Sequence, residues 1–161
     1  MIDLVFHLAG TPPGAGRADL AESIKITNTG DAALDFHFFQ YVDLNLSPND
    51  TVSFMNPNTV RQTAGVLVAS ETVITPAPNH REVALAGITL AKLTDGAPTT
   101  LSGNAGPVSG DVTWAFQWDF VIPAKKAVLI SKDKQLIVPE PATVLLAALG
   151  SLVLSRRRRT V

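Results

Sequence analysis

The chain predicts an all-β protein: an antiparallel β-sandwich of Ig-like or jelly-roll-like type, followed by a short C-terminal transmembrane helix. Three observations carry that prediction. Charged residues make up only 17% of the 161 positions, and 11 Gly and 11 Pro punctuate the chain, a turn-rich composition that suits neither a helical bundle nor a disordered polymer. Short segments between those turns alternate apolar and polar residues at period two, the signature of half-buried strands. The last stretch is different in kind, a charge-free apolar run closed by four consecutive arginines.

Taken in order, residues 1–8 read as a strand and Gly10 to Gly16 as a Pro/Gly turn. Ser23–Thr27 alternates, with Ile24 and Ile26 on one face and Lys25 on the other. Asn28-Thr29-Gly30-Asp31 is a tight turn of residues that tolerate positive φ. Next, Leu34, Phe36, Phe38, Val42 and Leu44 share one face, interrupted by Gln40, while Asp35, His37, Phe39, Tyr41 and Asp43 share the other. A loop at 45–50 precedes strands expected at Thr51–Met55, Val66–Ala69, Thr72–Thr75, Glu82–Ala86 and Ile88–Leu93. Leu101–Gly110 is a Ser/Gly/Asn/Pro loop.

The strongest alternation follows. Val112, Trp114, Phe116, Trp118, Phe120 and Ile122 lie on one face and Thr113, Gln117 and Asp119 on the other, a row that a helix would scatter round its circumference. Ala127–Ser131 and Gln135–Val138 complete the set. No helix of ordinary length fits before residue 139. Roughly eight to ten short strands, each with one packed and one wet face, give an antiparallel sandwich. The chain thus divides into a β-sandwich body at 1–138 and a tail at 139–161.

Charge sharpens the division. The body carries nine Lys and Arg against thirteen Asp and Glu, a net of −4, while the basic excess is confined to Arg156, Arg157, Arg158 and Arg159. That cluster is not interleaved with aromatic or base-reading side chains, so no nucleic-acid partner is expected. The chain has no cysteine, which excludes disulfides, thiolate metal sites and thiol nucleophiles.

In the tail, Pro139-Glu140-Pro141 leads into an uncharged stretch whose apolar heart includes Val144, Leu145, Leu146, Leu149, Leu152, Val153 and Leu154. As a helix, 142–154 would be about 20 Å long against a hydrocarbon core of about 30 Å, short for a permanent span. The arginines would stay cytoplasmic, leaving the body on the far side. The two prolines keep their segment extended at the membrane surface.

The order Pro-Glu-Pro, short apolar helix, arginine cluster closely resembles the PEP-CTERM sorting domain of Gram-negative bacteria. That resemblance implies an exosortase as partner, transient residence in the inner membrane, and cleavage near Pro139-Glu140-Pro141. It also implies delivery of the body to the cell envelope, outer surface or extracellular polysaccharide matrix of a biofilm. The body is similar to uncharacterised proteins that carry this domain, in Ile26–Gly30, Phe36–Tyr41, Val60–Thr63, Trp114–Phe120 and Ser131–Lys134. Export requires a leader, yet Met1–Gly10 has no basic n-region and no long apolar core. We therefore expect a start upstream of Met1 that supplies the signal peptide and can include a first strand.

The body offers little chemistry. There is no Gly-x-Ser-x-Gly elbow, no His-x-x-x-His spacing and no P-loop in Gly10–Gly16. Asp43, Asn45, Ser47 and Asn49-Asp50 mimic the opening of a calcium loop, but Pro48 stands where the glycine belongs and Phe54 where the bidentate Glu belongs. Trp114 and Trp118 read as core, because a wholly apolar strand face packs inward. The expectation is a non-enzymatic envelope or matrix protein with no catalytic residue, metal or cofactor. The alternative is a carbohydrate- or calcium-binding adhesive module that engages exopolysaccharide, with His37, Phe39 and Tyr41 as its exposed platform.

Overall fold

The computed structural model describes residues 1–12 and 15–138. Within them ten strands form two antiparallel sheets. In chain order they are β1 (Ile2–Gly10), β2 (Arg17–Thr27), β3 (Leu34–Asp43), β4 (Asp50–Asn56), β5 (Thr59–Ala64), β6 (Leu67–Thr75), β7 (His80–Leu85), β8 (Val108–Gly110), β9 (Val112–Ile122) and β10 (Ala127–Ile137). A single helix among the described residues, α1, spans Ile88–Thr94. The larger sheet runs β1-β2-β10-β6-β5-β4-β8 and the smaller β3-β9-β7. The expected all-β sandwich is therefore present. Its strands divide seven to three, more unevenly than the four and three of an immunoglobulin domain or the paired sheets of a jelly roll.

The core forms where the small sheet covers the large one. Trp114, Phe116, Trp118 and Ile122 of β9 are buried against Ile24 and Ile26 of β2, Val52, Val60 and Val73 of β4–β6, and Ile130 of β10. Phe116 meets Phe54 edge-on at 5.3 Å between ring centres, and Trp118 lies tilted at 5.8 Å from Phe38. Both indoles are anchored, Trp114 Nε1 donating to Glu71 and Trp118 Nε1 to the Pro76 carbonyl. The expected aromatic row is core.

Several expectations change. Val66–Ala69 and Thr72–Thr75 are one strand, β6, and Ala127–Ser131 and Gln135–Val138 are one strand, β10. The polar residues that appeared to break them point inward as an ionic cluster: buried Lys132 lies 2.7 Å from Glu22 and 3.2 Å from the fully buried Glu71. Gln40 joins it, donating from Nε2 to Glu71 at 2.8 Å. The interruption of the apolar face of β3 is thus a polar member of the core.

Ile88–Leu93, expected as a strand, lies in α1. Its apolar–polar alternation changes phase between Leu90 and Ala91, and Gly87, at φ 80°, turns the chain out of β7 into the helix in a conformation that favours glycine. An unforeseen strand, β5, returns against β4 after the turn at Asn56–Asn58, where the Asn58 amide donates to Asn56 Oδ1.

The expectation of a wet outer face on β9 is overturned as well. Thr113, Ala115 and Gln117 are buried, so β9 is covered on both faces between Val112 and Trp118. The cover is α1 and the segment after it. That segment presses close to the large sheet at Gly106, where φ is 83° and a Cβ would lie 2.8 Å from the Val52 carbonyl oxygen. The tail, with the expected helix at 142–154, lies outside the described residues; among those described, no helix is long and apolar enough to cross a membrane.

Candidate functional site

The small sheet aligns its outward-facing residues by register. His37 on β3 lies opposite Asp119 on β9, Phe39 opposite Gln117 and Tyr41 opposite Ala115. From the other side, β7 places His80 opposite Gln117 and Glu82 opposite Ala115. The helix and its following segment then close over part of this face.

Glu82 holds that cover in place. Its carboxylate, almost fully buried, accepts from Thr89 Oγ1 at 2.7 Å, from Lys92 Nζ at 2.6 and 2.7 Å, and from the Ser102 amide at 2.8 Å. Burial alone pushes the carboxyl up, but hydrogen bonds from Lys92, Ser102 and Thr89 outweigh it and hold the group at about 2. A second tie runs from the Leu101 amide to Gln117 Oε1 at 2.8 Å, and Gln117 Nε2 in turn donates to Asp119.

What remains open is a cleft of about 330 Å³ lined by His37, Phe39, Leu93, Ala97, Pro98, Thr99, Thr100, Gln117 and Asp119. At one end two imidazoles bracket a carboxylate. His37 Nδ1 donates to Asp119 Oδ1 at 2.6 Å, and His80 Nε2 is 3.5 Å from Asp119 Oδ2. The other His37 ring nitrogen faces Asp35 at 3.8 Å. The hydrogen bond to Asp119, helped by both nearby carboxylates, raises the His37 pKa. Burial pushes Asp119 up, while Gln117 and the two histidines more than reverse it, so its carboxyl ends below the usual range.

Two of the three expected platform residues meet at this cleft. His37 and Phe39 line it, whereas Tyr41 lies outside the lining, its hydroxyl 3.5 Å from Asp43. Burial raises the Tyr41 phenol above its ordinary value. Sequence reasoning did not unite His80, Gln117, Asp119 and the Pro98–Thr100 segment with His37. Alternation placed His37 and Asp119 on the polar faces of their strands, but only the strand pairing joins residues that far apart in sequence.

The calcium-like loop is closed by its own residues and by Gln62 of β5. Asp50 Oδ2 accepts from the Leu46 amide at 2.9 Å and from Gln62 Nε2 at 2.6 Å, and the Asn49 amide donates to Ser47 Oγ. Asp50 is thereby turned inward, buried and engaged in loop closure.

The body is an antiparallel β-sandwich with an outward cleft, joined at Val138 to a C-terminal segment of separate character. Residues 138–159 match the PEP-CTERM protein-sorting motif. The chain thus carries a PEP-CTERM sorting motif at these residues, and the motif implies export across the membrane to the cell envelope and processing by an exosortase. No curated protein matches the chain.

Proposed function

We propose that this protein is a non-enzymatic envelope or matrix component, delivered by its tail and released as a β-sandwich body. The single observation that carries this reading is the sorting motif at 138–159, set directly after the last strand of the body. In the precursor, 142–154 enters the inner membrane and Arg156–Arg159 hold the end on the cytoplasmic side. On this reading the exosortase cuts a peptide bond near Pro139-Glu140-Pro141. Mass spectrometry of the protein from cells tests this. The expected mature form ends near Pro139–Pro141, and a C-terminus still reading Arg-Thr-Val on most molecules refutes it.

A second reading is favoured by the cleft. Phe39 offers an aromatic face beside the hydrogen-bonding groups of His37, Thr100 and Asp119, the combination of apolar face and convergent polar groups that a sugar ring requires. On this reading the body binds exopolysaccharide after delivery. Phe39→Ala, with the fold intact by circular dichroism, is expected to abolish retention on the organism's own exopolysaccharide. Unchanged retention, or none by the parent protein, removes the reading.

A further inference from the structure

Among the described residues β1 is the edge of the large sheet, bonded to β2 alone, and all nine of its residues are exposed. Ile2, Leu4, Val5, Phe6 and Leu8 are 49%, 54%, 64%, 56% and 73% exposed. By register Ile2 and Leu4 share the face of the core residues Ile26 and Ile24, but the small sheet leaves them uncovered. Soluble proteins blunt long edges with lysine, proline or a bulge, and β1 has none of these.

The backbone shows which groups the edge offers. Met1 and Thr27 exchange reciprocal bonds of 2.9 and 2.8 Å. In an antiparallel ladder bonded and non-bonded pairs alternate, so Asp3, Val5 and His7 also bond β2. Ile2, Leu4, Phe6 and Leu8 therefore direct their N–H and C=O groups outward. We propose that this edge pairs with the same edge of a second copy, antiparallel about a two-fold axis through Val5.

The strand is its own complement. Read from Val5 in both directions, Ile2-Asp3-Leu4-Val5-Phe6-His7-Leu8 sets apolar against apolar and acid against imidazole. In this register Leu4 bonds Phe6 of the second copy and Ile2 bonds Leu8 of the second copy. Val5 faces its own counterpart, and Asp3 faces His7 of the second copy at both ends. A shift by two residues either way sets Asp3 against Val5 or Ala9 and loses that acid–imidazole pairing. Edge pairing satisfies the outward N–H and C=O groups of the strand and covers part of these apolar side chains, and the match of Asp3 with His7 selects a second copy of the same strand. An isologous contact of this kind closes as a dimer and leaves no β1 edge for further growth.

The absence of cysteine makes a clean test. Single-cysteine variants of the 161-residue chain in detergent micelles are mildly oxidised and run on non-reducing gels. Val5→Cys is expected to shift from the 17.0 kDa monomer to the dimer, since non-bonded pairs set Cα atoms about 4.5 Å apart, within disulfide reach. Asp3→Cys and His7→Cys are each expected to stay monomeric alone, because identical residues then lie about 13 Å apart, and to cross-link when mixed. Val66→Cys, on an exposed turn, reports random collision. The proposal is overturned if Val5→Cys dimerises no more than Val66→Cys, or if Asp3→Cys cross-links to itself as readily. A monomeric Val5→Cys whose thiol resists maleimide also overturns it, because some other strand then covers the edge.

Discussion

Replacing Glu82 by Gln removes the charge that ties α1 and residues 95–102 to the small sheet. A folded carboxyl at about 2 against an ordinary 4.5 is worth about 3 kcal/mol at neutral pH. Screening at Lys92, which is 39% exposed, makes that an upper bound. The sign follows from the direction of the shift. The folded group is depressed, so its contribution is complete above the unfolded value of 4.5, declines as the pH falls, and is nearly gone at about 2. Glu82→Gln is therefore expected to lower the melting temperature by about 10 °C at pH 7. The two proteins should converge to within about 1 kcal/mol near pH 2. Thermal melts followed by circular dichroism between pH 7 and 2 measure both quantities. Amide exchange across residues 88–102 should quicken at the same time, since these backbone groups wall the cleft. A difference below about 1 kcal/mol at pH 7, or one undiminished at pH 2, refutes the assignment of Glu82 as the tie.

Lys132→Met should cost about 3–5 kcal/mol in denaturant titrations, because the carboxylates of buried Glu22 and Glu71 then have Lys134, at 4.0 and 3.9 Å, as their one cationic partner among the described residues. Adding Glu71→Gln should recover part of that loss, since one uncompensated buried charge is then removed. At the cleft, Asp119→Asn is expected to bring the His37 pKa down towards its ordinary 6.5, as the bond that chiefly raises it is lost. Imidazole proton resonances titrated by NMR read the shift, and an unmoved His37 would deny the Asp119 contact.

Local pattern and tertiary structure divided the information unevenly. The alternating rows of β3 and β9 were legible because period two is a property of neighbouring residues, and a row such as Val112 to Ile122 has only one way to face a core. β5 was not legible, because Thr59–Ala64 has one buried apolar residue, Val60, and fills its other buried position with Gln62, whose partners lie on Leu44 and Asp50. The breaks read into β6 and β10 fail for the same reason: Glu71 and Lys132 are polar in sequence and neutralise each other only once the strands and the second sheet have met. α1 hid because a short apolar run carries no period of its own.

The sequence by itself determined that this chain is a turn-rich β body with a sorting motif at its end, since composition, alternation and a contiguous signal are all read along the chain. Tertiary structure alone decided which polar residues go inside, that Glu82 fastens a helix across the small sheet, and that His37, His80 and Asp119 meet beside a cleft. It also decided that, among the described residues, β1 stands uncovered at an edge. The physical reason is one of range: hydrogen bonds and ion pairs between residues up to about a hundred positions apart exist only after the strands have chosen their neighbours.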